Sequence, residues 1–221
     1  LKKMYGEQRA LEHVRMHHDL YLSERGYGAE QPLYKTLPQN PHQHYSKGLV
    51  VMHQLSIVLG EEKLNQALKR FLEKHSYSAS NQHFAPRSTD LLQEFATALP
   101  PESKELLNDM FKHITTYNLS IHNASVQKIM NKSQEQYDVH CTISVEKFHE
   151  DGTGKRIEKP FVGNVEIELR LEDGSINRGT ISVNNSRAEG SVRVRSKPLE
   201  IEIDPRLRYI HTSSEKILKT L

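Results

Sequence analysis

Apolar residues recur at helical spacing through the first half of the chain and alternate with polar ones through the second. The most apolar stretch is Leu49-Val50-Val51-Met52-His53-Gln54-Leu55-Ser56-Ile57-Val58-Leu59. Leu49, Met52, Leu55 and Leu59 mark one face of a predicted buried helix, and Val51 and Val58 widen it. Gly60 is the residue expected just past its end, because glycine takes positive φ cheaply. Glu61 and Glu62 then suit the N-terminus of a second helix, predicted over 61–75 with Leu64, Leu68, Phe71 and Leu72 inward. Upstream, a helix is predicted from Glu7 to about Ser23, with Leu11, Val14, His18, Tyr21 and Leu22 near one side and Gly26 and Gly28 ending it. Pro32, Pro38 and Pro41 punctuate a loop over 29–43.

Downstream, a polar loop is predicted over 76–87. Thr89-Asp90, with Gln93 three residues on, reads as the cap of a helix running to about Leu99. Pro100-Pro101 break the chain, and Leu106, Leu107, Met110, Phe111 and Ile114 form a further helical stripe. After Tyr117 the period becomes two. Tyr137–Val145, Val165–Leu171, Val192–Arg195 and Leu199–Ile203 alternate as half-buried strands do. Turn signals separate them at Asp151-Gly152-Thr153-Gly154, Asp173-Gly174, Asn184-Asn185 and Glu189-Gly190. The reading is an α+β chain: helices over 1–117, an antiparallel β-sandwich over 118–205, and a polar tail over 206–221.

Charge removes some function classes. Thirty Lys and Arg stand against 28 Asp and Glu in 221 residues, a net charge of +2. That balance argues for neither a nucleic-acid nor an anionic-membrane partner. A mean hydropathy of −0.67, with no run near the roughly 20 apolar residues of a membrane span, predicts a soluble fragment. The single cysteine, Cys141, allows no internal disulfide and no cysteine-rich zinc site, and its alternating strand predicts that it packs in the core. Leu1-Lys2-Lys3-Met4 has no signal-peptide pattern and reads as the interior of a longer protein.

One feature does not suit a plain core helix. His44-Tyr45-Ser46-Lys47-Gly48 places a tyrosine, a lysine and a glycine at the opening of the most apolar helix. Tyr45-Ser46-Lys47-Gly48, the apolar helix and Leu59-Gly60-Glu61-Glu62 together resemble the Tyr-x-Lys-Gly segment of the aminopeptidase N family of gluzincin zinc metallopeptidases. The resemblance continues through Leu64, Leu68, Phe71, Leu72 and His75-Ser76-Tyr77, and less sharply to the C-terminus. It is strongest to a bacterial subgroup whose peptidase domain is fused to a membrane permease-like region. It implies the distal, helical half of a thermolysin-like catalytic domain followed by an Ig-like β-sandwich. It also implies a parent that removes N-terminal residues from peptides, held at the bacterial inner membrane by segments outside this chain. The partners implied are a peptide substrate and the rest of that parent, including its upstream catalytic half.

In that family zinc is held by a His-Glu-x-x-His helix and a later glutamate, leaving one position for an activated water. This chain has no His-Glu-x-x-His, so the ligands are expected upstream of Leu1. Zinc is expected in the parent, none bound by the fragment, and no activity from the fragment alone. By the resemblance, Tyr45 is the catalytic residue, donating its phenolic hydrogen bond to the developing oxyanion. The bland alternative for Tyr45 is an aromatic packing residue with a satisfied hydroxyl. His44 and Lys47 are candidates to line the substrate cleft. The bland alternatives are a loop histidine with a backbone partner, as also for His42, and a solvated lysine. Gly48 is expected to allow close backbone approach.

His13 and His17 lie four apart on one helical face beside His18, a possible metal pair. Val14 stands where a peptidase motif needs glutamate, and no third ligand is evident, so a surface histidine cluster is the reading taken. The charges of Glu166, Glu168, Arg193 and Arg195 read as a solvated sheet face. Gly152-x-Gly154 sits in a hairpin-like loop rather than between a strand and a helix, and no Gly-x-Ser-x-Gly is present, so phosphate-loop and serine-nucleophile chemistry have no foothold. A non-catalytic interaction module of a membrane permease-like protein is the alternative function.

Overall fold

The structure is a computed structural model that describes residues 2–25, 29–76, 85–131 and 134–221, apart from the side chains at 102 and 131. The predicted helix stop at Gly26 and Gly28, and most of the 76–87 loop with Tyr77, lie outside the described residues. The chain divides into two compact units, one of residues 1–115 with 150–155, the other of residues 116–149 with 156–221.

The first unit is helical. Helix α1 spans Lys2–Glu24 and is broken at Gly6, whose φ is 87°. A π-helical turn, His42–Lys47, runs directly into α2, Gly48–Leu59. Helices α3, Glu61–His75, α4, Ser88–Ala98, and α5, Lys104–Phe111, complete it. Gly60 separates α2 from α3 at φ 81°, the conformation that glycine was expected to supply. Val14, Tyr21, Val50, Val51, Leu55, Leu59, Leu64, Ala67, Phe95 and Phe111 are among its core.

Three side-chain expectations change here. The buried face of α2 carries Val50, Val51, Gln54, Leu55 and Leu59, while Leu49 and Met52 are half-buried. That face continues the stripe of Gln43, Ser46 and Lys47 from the π-turn, so the preceding turn sets the rotation of the helix. Leu72 is 66% exposed, one position beyond the i, i+3, i+4, i+7 row of Leu64, Ala67, Leu68 and Phe71 that faces inward. At the start of α4, Asp90 rather than Gln93 reaches back, its carboxylate accepting the Arg87 N–H at 2.8 Å.

The second unit is built on antiparallel strands: β1, Ile114–Asn131; β2, Gln134–Glu150; β3, Arg156–Lys159; β4, Val162–Leu171; β5, Ile176–Asn184; β6, Arg187–Val194; β7, Pro198–Ile203; and β8, Ile217–Thr220. Where the sequence suggests an Ig-like pair of sheets, the strands join one sheet in the order β1-β2-β6-β5-β4-β7-β8, with β3 on β2. The sheet turns back on itself, because Tyr117 N donates to Ile210 O at 2.8 Å and Thr212 N to Tyr117 O at 2.9 Å. Its twist brings the first strand near the segment after β7, so the ladder approaches closure. Alternation holds: Val139, Cys141, Ile143 and Val145 on β2, and Val165, Ile167, Leu169 and Leu171 on β4, are buried. The opposite face carries charge pairs, Glu168 with Arg178 and Asp138 with Arg193. Asn185 and Ser186, both at positive φ, make the two-residue turn between β5 and β6.

A buried carboxylate organises the segment after β7. Asp204, at φ 49°, accepts the N–H of Arg208 at 2.8 Å and of Tyr209 at 3.0 Å. It also accepts His211 Nε2 at 2.7 Å. Tyr117, Phe161 and Tyr209 pack as an aromatic trio, with ring centroids 4.8 to 6.0 Å apart.

Candidate functional site

The Tyr-x-Lys-Gly segment forms the π-turn and the first residue of α2. Residues two apart on a helical turn project to nearly opposite sides, and the turn uses this. Tyr45 is 68% exposed and Lys47 is 1% exposed. The His44 ring stands against the Tyr45 ring at 4.2 Å between centroids. His44 is held in turn by its Nδ1 contact to the Asn40 carbonyl at 2.9 Å. Tyr45 is therefore a presented side chain and not a packing residue. His44 is half-buried with the backbone partner that the bland reading foresaw.

Lys47 does not line a cleft. Its ammonium is enclosed and donates to Glu30 Oε1 at 2.8 Å. The same oxygen accepts the Tyr21 hydroxyl at 2.5 Å. Glu30 Oε2 accepts Arg25 Nε at 3.2 Å and Nη2 at 2.9 Å. Arg25 reaches Glu150 as well, with Nη2 to Oε2 at 2.7 Å. The Lys47 ammonium lies 5.2 Å from the centroid of the Tyr21 ring, and the Arg25 guanidinium 5.3 Å from it. Two cations thus face two carboxylates under a phenol, all drawn from the helical unit.

The charge states follow from the surroundings. Burial pushes the Glu30 carboxyl up, but Lys47 and Arg25 outweigh it and hold the group below its ordinary value. Burial lowers the Lys47 ammonium, with Glu30 opposing. Tyr21 is pushed well above its ordinary value, first by burial and then by the Glu30 charge, so it remains a protonated donor. The 150–155 loop closes over this group. Glu30 N donates to Gly152 O at 3.0 Å, and Gly152, at φ 84°, leaves no room for a side chain. A Cβ there would lie 2.2 Å from the Glu30 carbonyl oxygen.

Gly48 is not explained by close approach. A Cβ on it would meet only the Gln43 carbonyl oxygen, at an ordinary 3.9 Å.

Glu30, Arg25 and Glu150 are absent from the sequence reading, which placed Tyr21 only on one side of a helix and Gly152 only in a turn. The one available signal was Lys47 itself, since a lysine on the buried stripe of an apolar helix requires a carboxylate nearby.

His13 and His17 do meet, edge to face at 4.7 Å between centroids. His17 is lowered by burial and then by His13, and its Nδ1 lies 3.4 Å from Ser46 Oγ. His18 is buried, with Nδ1 3.5 Å from Asp19. The expected surface histidine cluster is thus a half-buried pair, His13 and His17, with His18 turned inward. Among the described residues no group of three or more His, Cys, Asp or Glu side chains is arranged to hold a metal ion. No helix among them is long and apolar enough to cross a membrane.

No protein-family model matches the chain, and no curated protein matches it. A crystal structure of Legionella pneumophila aminopeptidase A in complex with aspartic acid is similar to it, with a TM-score of 0.47 and 12% identity. The likeness covers 95% of this chain and 22% of that one, so the chain spans about a fifth of that protein's length.

Proposed function

We propose that these residues are part of a zinc-dependent aminopeptidase, and that Tyr45 stabilises the oxyanion formed when the peptide bond is hydrolysed. The observation that supports this reading is the exposed phenol of the Tyr-x-Lys-Gly motif, carried on a turn whose neighbouring lysine is locked inside. A preorganised O–H donor aimed at developing negative charge lowers the barrier by about 3 to 4 kcal/mol. Preorganisation is what a buried anchor two residues away supplies, because the donor does not reorient as charge appears. In this reading the helical unit is the distal part of a thermolysin-like catalytic domain, and the strands, joined in one sheet, are the β-domain that follows it.

The residues of this chain do not fit zinc, since they include no His-Glu-x-x-His and no described three-ligand cluster. The metal is assigned to the remainder of the parent, where it would supply an activated water. What this chain contributes is the donor and its support. By the same resemblance, the parent is anchored at a bacterial inner membrane through permease-like segments. The test is hydrolysis of aminoacyl anilides by the zinc-loaded full-length protein. Turnover that is lost on chelation and regained with zinc is expected. No turnover with any N-terminal residue overturns the peptidase and favours a non-catalytic interaction module.

A further inference from the structure

We infer that Glu30 is a positioning residue for Tyr45, acting through Lys47, within a charge-balanced anchor completed by Tyr21, Arg25 and Glu150. The inference rests on the reading of Tyr45 as the oxyanion donor. Lys47 and Tyr45 project to opposite sides of one turn, so fixing the first fixes the direction of the second. The turn has no side-chain cap. Among the described residues its other buried polar members make long side-chain contacts: Gln43 accepts Gln31 N and Thr36 Oγ1 and its Nε2 meets His42 Nε2, at 3.4 Å each, and Ser46 Oγ lies 3.4 Å from His17 Nδ1. The short contacts that hold the turn inward are those of Lys47 and Glu30. An ammonium 1% exposed is tenable only against a carboxylate.

The balance is specific. Arg25 and Lys47 supply two positive charges, Glu30 and Glu150 two negative ones. Removing Lys47 or Glu30 alone leaves an uncompensated buried charge. Removing both leaves Arg25 on Glu150, still neutral. Positioning and simple stability therefore separate by the pattern of single and double substitutions.

The experiment compares Lys47→Met, Glu30→Gln and the double variant in the zinc-loaded full-length protein, with Tyr45→Phe alongside. Each single variant is expected to lower kcat on aminoacyl anilides by about 10-fold or more, as a misplaced donor does, with KM and zinc content held. The double variant is expected to lose no more than the worse single one. In the 221-residue chain, amide hydrogen exchange over 42–48 is expected to accelerate in each single variant and to slow again in the double, with α3 and α4 unchanged. Lower melting temperatures with unaltered kcat and unaltered exchange over 42–48 would assign the anchor to stability alone and overturn the inference. A fall in kcat for Tyr45→Phe with none for Lys47→Met overturns positioning while leaving the donor in place. No fall for Tyr45→Phe removes the donor, and the positioning role with it.

Discussion

Gly152→Ala perturbs the anchor at a point where the cost can be worked from geometry. Gly152 sits at φ 84°, where an L side chain costs roughly 1 to 2 kcal/mol. The new Cβ would lie 2.2 Å from the Glu30 carbonyl oxygen and 3.3 Å from its carbonyl carbon. Both are backbone atoms, so no flexible side chain can yield, and overpacking of this kind costs about 1 to 3 kcal/mol. Relief by moving the loop breaks the 3.0 Å bond from Glu30 N to Gly152 O, about 1 kcal/mol more. The sum is about 3 to 6 kcal/mol. Gly154 supplies the control. Its φ is 94°, yet a Cβ on it meets nothing within 4 Å, so Gly154→Ala bears only the roughly 1 to 2 kcal/mol of backbone strain.

Thermal unfolding followed by far-ultraviolet circular dichroism reads the difference. At about 2 to 4 °C per kcal/mol for a chain of this size, Gly152→Ala is expected to melt about 6 to 24 °C below the unsubstituted chain, and Gly154→Ala about 2 to 8 °C below. Equal losses in the two variants would refute the close approach of the 150–155 loop to Glu30.

Two further outcomes follow from buried carboxylates. Glu30 is held below its ordinary value by Lys47 and Arg25 against the push of burial. A depressed carboxyl contributes stability present above its unfolded value of about 4.3 and lost as pH falls through the folded one. Urea unfolding from pH 7 to pH 2 is therefore expected to show Glu30→Gln less stable at neutrality but losing less toward acid. An acid slope as steep as that of the parent chain would contradict the pairing. Asp204→Ala strands two backbone N–H groups and His211, a loss of about 3 kcal/mol. Asp204→Asn retains an acceptor and tolerates the positive φ, so it should lose clearly less by the same assay, and equal losses would refute this.

The helical framework was legible because its signals are local. Gly60 between an apolar run and Glu61-Glu62 marked the break between α2 and α3, and the bounds of α3 followed from it. The alternation of β4 likewise placed Val165, Ile167 and Leu169 inside. Strand β1 was missed since its mostly polar run, Ser120 to Lys128, carries little apolar alternation, and pairing with the neighbouring β2 orders it. Strand β8 is four residues in a tail, and β7 supplies its reason to exist. At the candidate site, the motif singled out Tyr45 but gave no direction for its side chain. That direction depends on Lys47 meeting Glu30, 17 residues away, and on Arg25 meeting Glu150, 125 residues away. No local period encodes such pairs. The single sheet in place of two reflects the same limit, because alternation gives faces but not strand order.

The oxyanion role of Tyr45 is tested most directly by kcat for Tyr45→Phe in the zinc-loaded full-length protein on an aminoacyl anilide. Tyr45 is 68% exposed, so loss of its hydroxyl leaves packing, fold and zinc content in place, and any change reports chemistry. The account predicts that kcat falls about 100-fold or more, as for loss of one oxyanion donor. An unchanged kcat in a protein that turns over and retains its zinc would contradict it.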